Sequence, residues 1–106
     1  MTTTHDESEA FRDIDYAVLL CGYPLKKGMD RKDQLLTNSG IFVKHGQSLQ
    51  KYGKESTKTL VVANPANVNC FICSQNAPKI KPENFTCLTR LDYNRFEAQV
   101  SLIWKY

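Results

Sequence analysis

Three short apolar runs, each about as long as a β-strand, constrain most strongly what this chain can fold into. Residues 16–21 read Tyr-Ala-Val-Leu-Leu-Cys, residues 59–63 read Thr-Leu-Val-Val-Ala, and residues 85–89 read Phe-Thr-Cys-Leu-Thr. The first two runs lack the polar alternation of a half-exposed strand. Such continuous runs are typical of strands that are covered on both faces of a parallel sheet.

Segments with helical spacing separate these runs. Apolar and small residues recur every three or four positions over residues 31–52, at Leu35, Ser39, Phe42, Gly46 and Leu49. Shorter helices are predicted over residues 9–12, 66–74 and 92–104. The order strand, helix, strand, helix, strand, helix predicts an α/β fold with a parallel sheet and right-handed crossovers.

The length and charge of the chain limit its organisation and its partners. A chain of 106 residues forms one small domain, and we expect residues 1–8 to be a disordered tail ahead of it. The net charge of +3 is too small to indicate a nucleic-acid partner. No apolar run approaches the roughly 18 residues of a membrane span, and the polar start is not a signal peptide. We therefore predict a cytoplasmic protein with no membrane partner.

The four cysteines are expected to be thiols, because disulfides are rare in the reducing cytoplasm. Cys70 and Cys73 form the only close pair. A zinc site would need a second tight pair of ligands, and the intervening residues Phe71 and Ile72 are apolar. Buried structural thiols are therefore favoured, with metal or redox chemistry at this pair as the alternative.

Polar and charged residues follow each apolar run. Lys26 and Arg31 follow the first run, Asn64 follows the second, and Asp92 and Arg95 follow the third. Ligands of open parallel sheets bind beyond the carboxyl ends of the strands, so we expect these groups to converge on one cleft. An arginine can hold a carboxylate through two hydrogen bonds, which predicts an anionic organic substrate. Taken singly, each group has a more common explanation as a solvated loop, a turn or a surface pair.

Three blocks, residues 28–33, 64–70 and 82–95, closely resemble the cytosolic-type NAD-dependent malate dehydrogenases of the lactate/malate dehydrogenase family. The resemblance extends almost without gaps from about Glu9 to Ser101. It implies a partial Rossmann-like, doubly wound parallel sheet with NAD as the cofactor. The implied reaction is the reversible oxidation of (S)-malate to oxaloacetate.

The resemblance also implies roles for residues of the expected cleft. Arg95 would hold the C1 carboxylate of the substrate, and Arg31 would polarise the reacting C–O bond when a lid closes. Asn64 would contact the substrate and the nicotinamide ribose, and the peptide bond to Pro65 would be cis. Asp92 would orient a catalytic histidine.

The implied cofactor contacts lie on the first long helix and at the end of the second apolar run. Asn38 and His45 occupy positions that contact NAD in the family, which commonly has glutamine where this chain has His45. Ala63 and Asn64 complete the implied set.

Leu25 departs from the family pattern, which has a lid arginine at this position that grips the distal carboxylate. Lys26 follows it and could offer a point charge to the substrate, but not the planar fork of an arginine. The implied substrate is thus a small dicarboxylate or another 2-hydroxy acid.

The chain also lacks the glycine-rich turn that seats the pyrophosphate in this family, and the family's catalytic histidine. Neither His5 nor His45 is placed to accept the substrate proton. We therefore expect an internal fragment or truncated form that is inactive alone. Residues 9–106 would form a partial nucleotide-binding domain that runs into the start of the substrate domain.

Two alternatives remain at this point. The chain could be a non-catalytic interaction module that pairs with a full-length subunit through residues 92–104. The resemblance implies that this helix belongs to the family's dimer interface, so a homodimer of the chain through the same helix is expected as well. It could also fail to fold alone, because exposed sheet edges promote aggregation.

Overall fold

A computed structural model describes residues 1–104 and confirms the alternation of strands and helices. Its elements are α1 (Glu7–Ala10), β1 (Tyr16–Leu19), α2 (Arg31–Tyr52), β2 (Lys58–Val61), α3 (Ala66–Gln75), a 3₁₀ turn (Pro82–Asn84), β3 (Phe85–Cys87) and α4 (Arg90–Trp104). Each strand ends two residues before the predicted run does. The predicted domain ends at residue 106, and its last two residues lie outside the described range.

The three strands form one parallel sheet in the order β1-β2-β3, with Leu19 opposite Val61 and Val61 opposite Cys87. Successive strands step across the sheet in one direction. Right-handed crossovers then place both connecting helices on the same face, where α2 packs against α3. The fold is thus a partial Rossmann-like α/β fold, as predicted.

The prediction that the strands are covered on both faces is wrong. Ala17 and Leu19 are 5% exposed beneath the helices, whereas Tyr16 and Val18 are 74% and 57% exposed on the opposite face. Alternate residues of a strand point to opposite faces, and the described helices cover only one of them. The continuous apolar run therefore indicates a strand whose side chains suit burial on both faces, although the structure covers only one face.

The core lies between the sheet and the two long helices. Phe42 and Leu49 of α2 are fully buried against Val61 of β2 and Cys73 of α3. The two helices meet at Gly46, where an added Cβ would lie 2.5 Å from the main-chain oxygen of Cys73. A glycine at this position is therefore required for the close approach of α2 and α3.

The last two residues of the segment expected to be a tail, residues 1–8, belong to a helix. Helix α1 begins at Glu7, two residues before the predicted helix, and Asp6 caps it by accepting a hydrogen bond from the Ser8 amide at 2.8 Å. Ser48 of α2 donates a hydrogen bond to the Glu7 carboxylate at 2.6 Å. The Lys44 amine lies 3.2 Å from the same carboxylate. These contacts dock the segment on α2.

The cysteines divide into two kinds. Cys70 and Cys73 are buried, and burial raises the pKa of Cys70 and raises that of Cys73 to about 12. Both stay protonated at neutral pH, as expected for structural thiols. Cys21 is exposed, contrary to its predicted burial, because β1 ends at Leu19 and leaves it in the following loop.

Candidate functional site

A cleft of about 440 Å³ opens at the edge of the sheet formed by the carboxyl ends of the strands. The residues that line it are Leu25, Arg31, Gln34, Asn64, Pro65 and Asp92. They come from the loop after β1, the start of α2, the loop after β2 and the first turn of α4. The structure therefore brings Arg31, Asn64 and Asp92 together from three separate segments, as the strand-end argument predicts.

The start of α2 positions Arg31. Asp30 caps the helix by accepting a hydrogen bond from the Asp33 amide at 2.8 Å, so Arg31 is the first helical residue. Gln34 lies one turn further along and donates a hydrogen bond to the main-chain oxygen of Tyr23 at 3.2 Å. The sequence analysis missed Gln34, although its spacing of three residues from Arg31 places both on one helix face.

Asn38 links the two loops that border the cleft. It is fully buried, its Oδ1 accepts a hydrogen bond from the Tyr23 amide at 2.6 Å, and its Nδ2 donates one to the main-chain oxygen of Asn64 at 3.1 Å. Its amide thus bonds to the main chain of both loops. The predicted contact of Asn38 with the cofactor stays a prediction.

The loop after β2 is held by a second buried amide. Asn69 of α3 is fully buried and donates a hydrogen bond to the main-chain oxygen of Ala63 at 3.1 Å. The peptide bond between Asn64 and Pro65 is cis, as the resemblance implies. Asn69 was missed as a supporting residue, although it lies inside the block that carries the resemblance.

Asp92 and Arg95 lie one turn apart on α4, with 3.7 Å between Arg95 Nη1 and Asp92 Oδ1. Both side chains are exposed. Asp92 lines the cleft and Arg95 is not among its lining residues. Of the expected group, Arg31 and Asn64 therefore line the cleft. Arg95 does not line it but pairs with Asp92, which does.

Two further predicted residues make their described contacts away from the cleft. The Lys26 amine donates a hydrogen bond to the Tyr23 hydroxyl at 2.9 Å. The His45 ring packs against Phe42 and has its Nε2 2.9 Å from Cys21 Sγ. Burial lowers the pKa of His45, so its imidazole is neutral at pH 7. Their proposed contacts with substrate and cofactor stay predictions.

The ends of β1 and β2 meet closely beside the cleft. A Cβ added to Gly22 would lie 2.8 Å from the Ala63 Cβ, so there is no room for a side chain at residue 22. Asn64 follows Ala63 with an exposed side chain. A polar amide beside close-packed main chain suits the uncharged nicotinamide ribose of NAD, which binds through hydrogen bonds. These residues fit that end of the cofactor.

Comparison with known proteins identifies relatives of the chain. Residues 1–86 match the family described as lactate/malate dehydrogenase, NAD binding domain. The chain is 52% identical over 99 residues to the cytoplasmic malate dehydrogenases of Rattus norvegicus and Homo sapiens, which covers 93% of the chain and 30% of each relative. Across residues 1–104, no helix has the length and apolar character needed to cross a bilayer.

Solved structures give the same answer. The malate dehydrogenase of Naegleria fowleri superimposes with a TM-score of 0.80 at 47% identity, over 93% of this chain and 30% of that one. The lactate dehydrogenase of Trichomonas vaginalis in complex with NADH and oxamate superimposes with a TM-score of 0.81 at 44% identity, over 96% and 31%. The chain spans about 30% of the length of the curated relatives it matches. Its cofactor is NAD. The chain belongs to the lactate/malate dehydrogenase family, and its three-stranded sheet is part of that family's NAD-binding domain.

Proposed function

We propose that this chain supplies the substrate-binding and nicotinamide-facing part of an NAD-dependent 2-hydroxy acid dehydrogenase. The observation that carries the proposal is the convergence of Arg31, Asn64 and Asp92 on one cleft at the strand ends. A guanidinium, an amide and a carboxylate at this position match the needs of a small anionic substrate beside a nicotinamide. The names of the malate dehydrogenase relatives support a cytoplasmic location.

The two arginines have different tasks in this proposal. Arg31 lines the cleft and would stabilise the negative charge that develops on the C2 oxygen. Arg95 would hold the C1 carboxylate. Its distance of 3.7 Å from Asp92 is too long for a hydrogen bond, so the exposed Arg95 fork is available for a bidentate contact with the substrate.

NAD, when bound, accepts the hydride from C2 of the hydroxy acid. The hydroxyl proton must then pass to a base. Asp92 can orient and stabilise an imidazole at the cleft, but His45 faces Cys21 and neither it nor His5 is a lining residue. We therefore expect the 106-residue chain to bind substrate without turning it over.

Leu25 shapes the proposed substrate class. Its side chain lines the cleft at the position where the resemblance implies an arginine for the distal carboxylate. The neighbouring Lys26 amine is bonded to Tyr23 and is not a lining group. The distal carboxylate of a dicarboxylate such as malate would have no ion pair here, whereas a monocarboxylate such as lactate has no distal carboxylate that needs one. We propose small 2-hydroxy acids as substrates, with a reduced preference for malate.

The proposal is tested by calorimetric titration of the chain with oxamate in the presence of NADH. Arg31→Ala should weaken binding by about tenfold or more, because a hydrogen bond to a charged group contributes ~1.5–3 kcal/mol. Lys32→Ala is the matched control, since it removes the same charge from the next residue, which does not line the cleft. Equal losses in the two variants would contradict the proposal. Turnover of oxaloacetate, followed by NADH absorbance and abolished in Arg95→Ala, would show that a proton acceptor is present after all.

A second candidate function is favoured by helix α4. None of its residues is buried, and Phe96, Ile103 and Trp104 are 66%, 75% and 68% exposed. An apolar helix face of this kind supports an interaction module, in which two copies of the chain pair through α4. Sedimentation velocity should show a dimer that Phe96→Asp disrupts. The control Ala98→Asp places the same charge about 200° around the helix, and an equal effect there would argue against this face.

A further inference from the structure

Cys21 and His45 form a thiol–imidazole pair that the proposed dehydrogenase chemistry does not use. Cys21 Sγ lies 2.9 Å from His45 Nε2. Cys21 lies in the loop after β1, and His45 lies in the middle of α2, 24 residues further along the chain. Their contact is therefore a product of the fold and not of local sequence.

Aromatic packing fixes the orientation of the His45 ring. The Phe42 ring meets it edge-on with 5.7 Å between centroids, and the Phe11 ring lies 6.1 Å away. Within residues 1–104, the buried Nδ1 atom has no hydrogen-bond partner. When the ring hydrogen is on Nδ1, the lone pair of Nε2 faces the thiol of Cys21. This is the arrangement in which a neutral imidazole takes up an S–H proton.

The surroundings of His45 keep it in this basic form. Burial is the largest influence and lowers the pKa of the imidazole. Of the charged groups around it, Glu7 of α1 raises that pKa and Lys44 of α2 lowers it. The imidazole is therefore mostly neutral at and above pH 7, where an unassisted cysteine is still mostly protonated.

The other three cysteines are less suited to reaction. Cys70 and Cys73 are buried, Cys87 is partly exposed, and Cys21 is exposed. Burial raises the pKa of both Cys70 and Cys73, which disfavours the reactive thiolate. Accessibility and a neighbouring base thus coincide at Cys21.

We propose that Cys21 is a modification site for small disulfides, with His45 as the base that accepts its proton. The sulfur of Cys21 attacks one sulfur of a low-molecular-weight disulfide, so that a new S–S bond forms as the old one breaks. Cys21 is oxidised to the mixed disulfide, and half of the reagent is reduced and leaves as a thiol. The proton passes from Cys21 to His45 Nε2 and from there to the departing thiolate.

The test is to react the full chain with glutathione disulfide and to measure the modification of each cysteine by peptide mass spectrometry. We expect Cys21 to be modified first, because it is exposed and in contact with an imidazole. Cys87 serves as the internal control for an accessible cysteine, since it is partly exposed. Cys21 reacting no faster than Cys87 would overturn the proposal.

His45→Gln removes the base and retains a planar amide of the type common at this position in the family. The loss of the base should slow the modification of Cys21 several-fold, because the sulfur then has no neighbouring acceptor for its proton. An unchanged rate in a variant with the circular dichroism spectrum of the parent would contradict the role of His45. The order in which Cys21 and Cys87 react in the parent sequence tests the proposal without depending on how the variant folds.

Discussion

The side-chain amide of Asn38 donates a hydrogen bond to the main-chain oxygen of Asn64 at 3.1 Å. The same side chain accepts a hydrogen bond from the Tyr23 amide at 2.6 Å. One buried residue of α2 thus fixes the separation of the two loops that border the candidate site. The geometry of the cleft depends on this interior contact as much as on the residues that line it.

Asn38→Ala should lower the free energy of unfolding by about 2–4 kcal/mol. It leaves the partly buried main-chain groups of Tyr23 and Asn64 without their hydrogen bonds, and each unsatisfied group costs ~1–3 kcal/mol where water cannot reach it. Urea denaturation followed by circular dichroism measures the change. Gln47→Ala, at an exposed position of the same helix, should change stability by less than about 0.5 kcal/mol. Similar losses in both variants would show that the Asn38 contacts contribute little.

Gly46→Ala should destabilise the protein by about 1–3 kcal/mol, because the added methyl group would collide with the main chain of α3. Gly40 provides the control on the same helix, since a Cβ there meets no atom within 4 Å. Gly40→Ala should raise stability by up to ~1 kcal/mol through its higher helix propensity. Thermal unfolding of both variants distinguishes the two effects. If both variants shifted the melting temperature in the same direction, the close approach of α2 and α3 would be refuted.

Glu7 should make stability depend on pH in the acidic range. The hydrogen bond from Ser48, followed by the contacts with Lys44, lowers the pKa of Glu7 from its ordinary value of 4.5. Its stabilising effect is therefore present above pH 4.5 and disappears as the pH falls through the lowered pKa of the folded state. Glu7→Gln should thus have a lower melting temperature than the parent at pH 7, and the difference should shrink towards pH 3. A difference that is constant with pH would show that ionised Glu7 is not involved.

Leu25→Arg should shift the binding preference of the cleft towards dicarboxylates. A guanidinium at this lining position can pair with a distal carboxylate, which should improve the affinity for hydroxymalonate relative to oxamate by about tenfold or more. Leu25→Gln controls for the loss of the apolar side chain without adding charge. Titration of each variant in the presence of NADH gives the ratio of affinities. An equal ratio in the two variants would place Leu25 away from the distal end of the substrate.

The sequence predicted those features that depend on local signals. Helix α2 has the predicted bounds of residues 31 and 52, because Asp30 caps its start and Gly53 follows its end. The parallel sheet followed from the alternation of runs, and the convergence of Arg31 and Asn64 followed from their positions after the strands. Each of these inferences combines a local sequence signal with a general rule on helix ends or on parallel sheets.

Features that depend on distant packing were missed. The open face of the sheet follows from the side on which the helices pack. The apolar run that contains Val18 has the same pattern whether one face or both faces are covered. The docking of Glu7 depends on Ser48, 41 residues away in the sequence. The contact between the exposed Cys21 and the partly buried His45 likewise depends on how the fold places α2 next to the end of β1.

The most direct test of the central claim is a nuclear magnetic resonance titration of the isotopically labelled chain with oxamate in the presence of NADH. We expect the side-chain amide signals of Gln34 and Asn64 to shift together with the guanidinium signal of Arg31, and we expect the amide shifts to be lost in Arg31→Ala. Shifts confined to the open face of the sheet or to α4, with Gln34 and Asn64 unaffected, would contradict the claim.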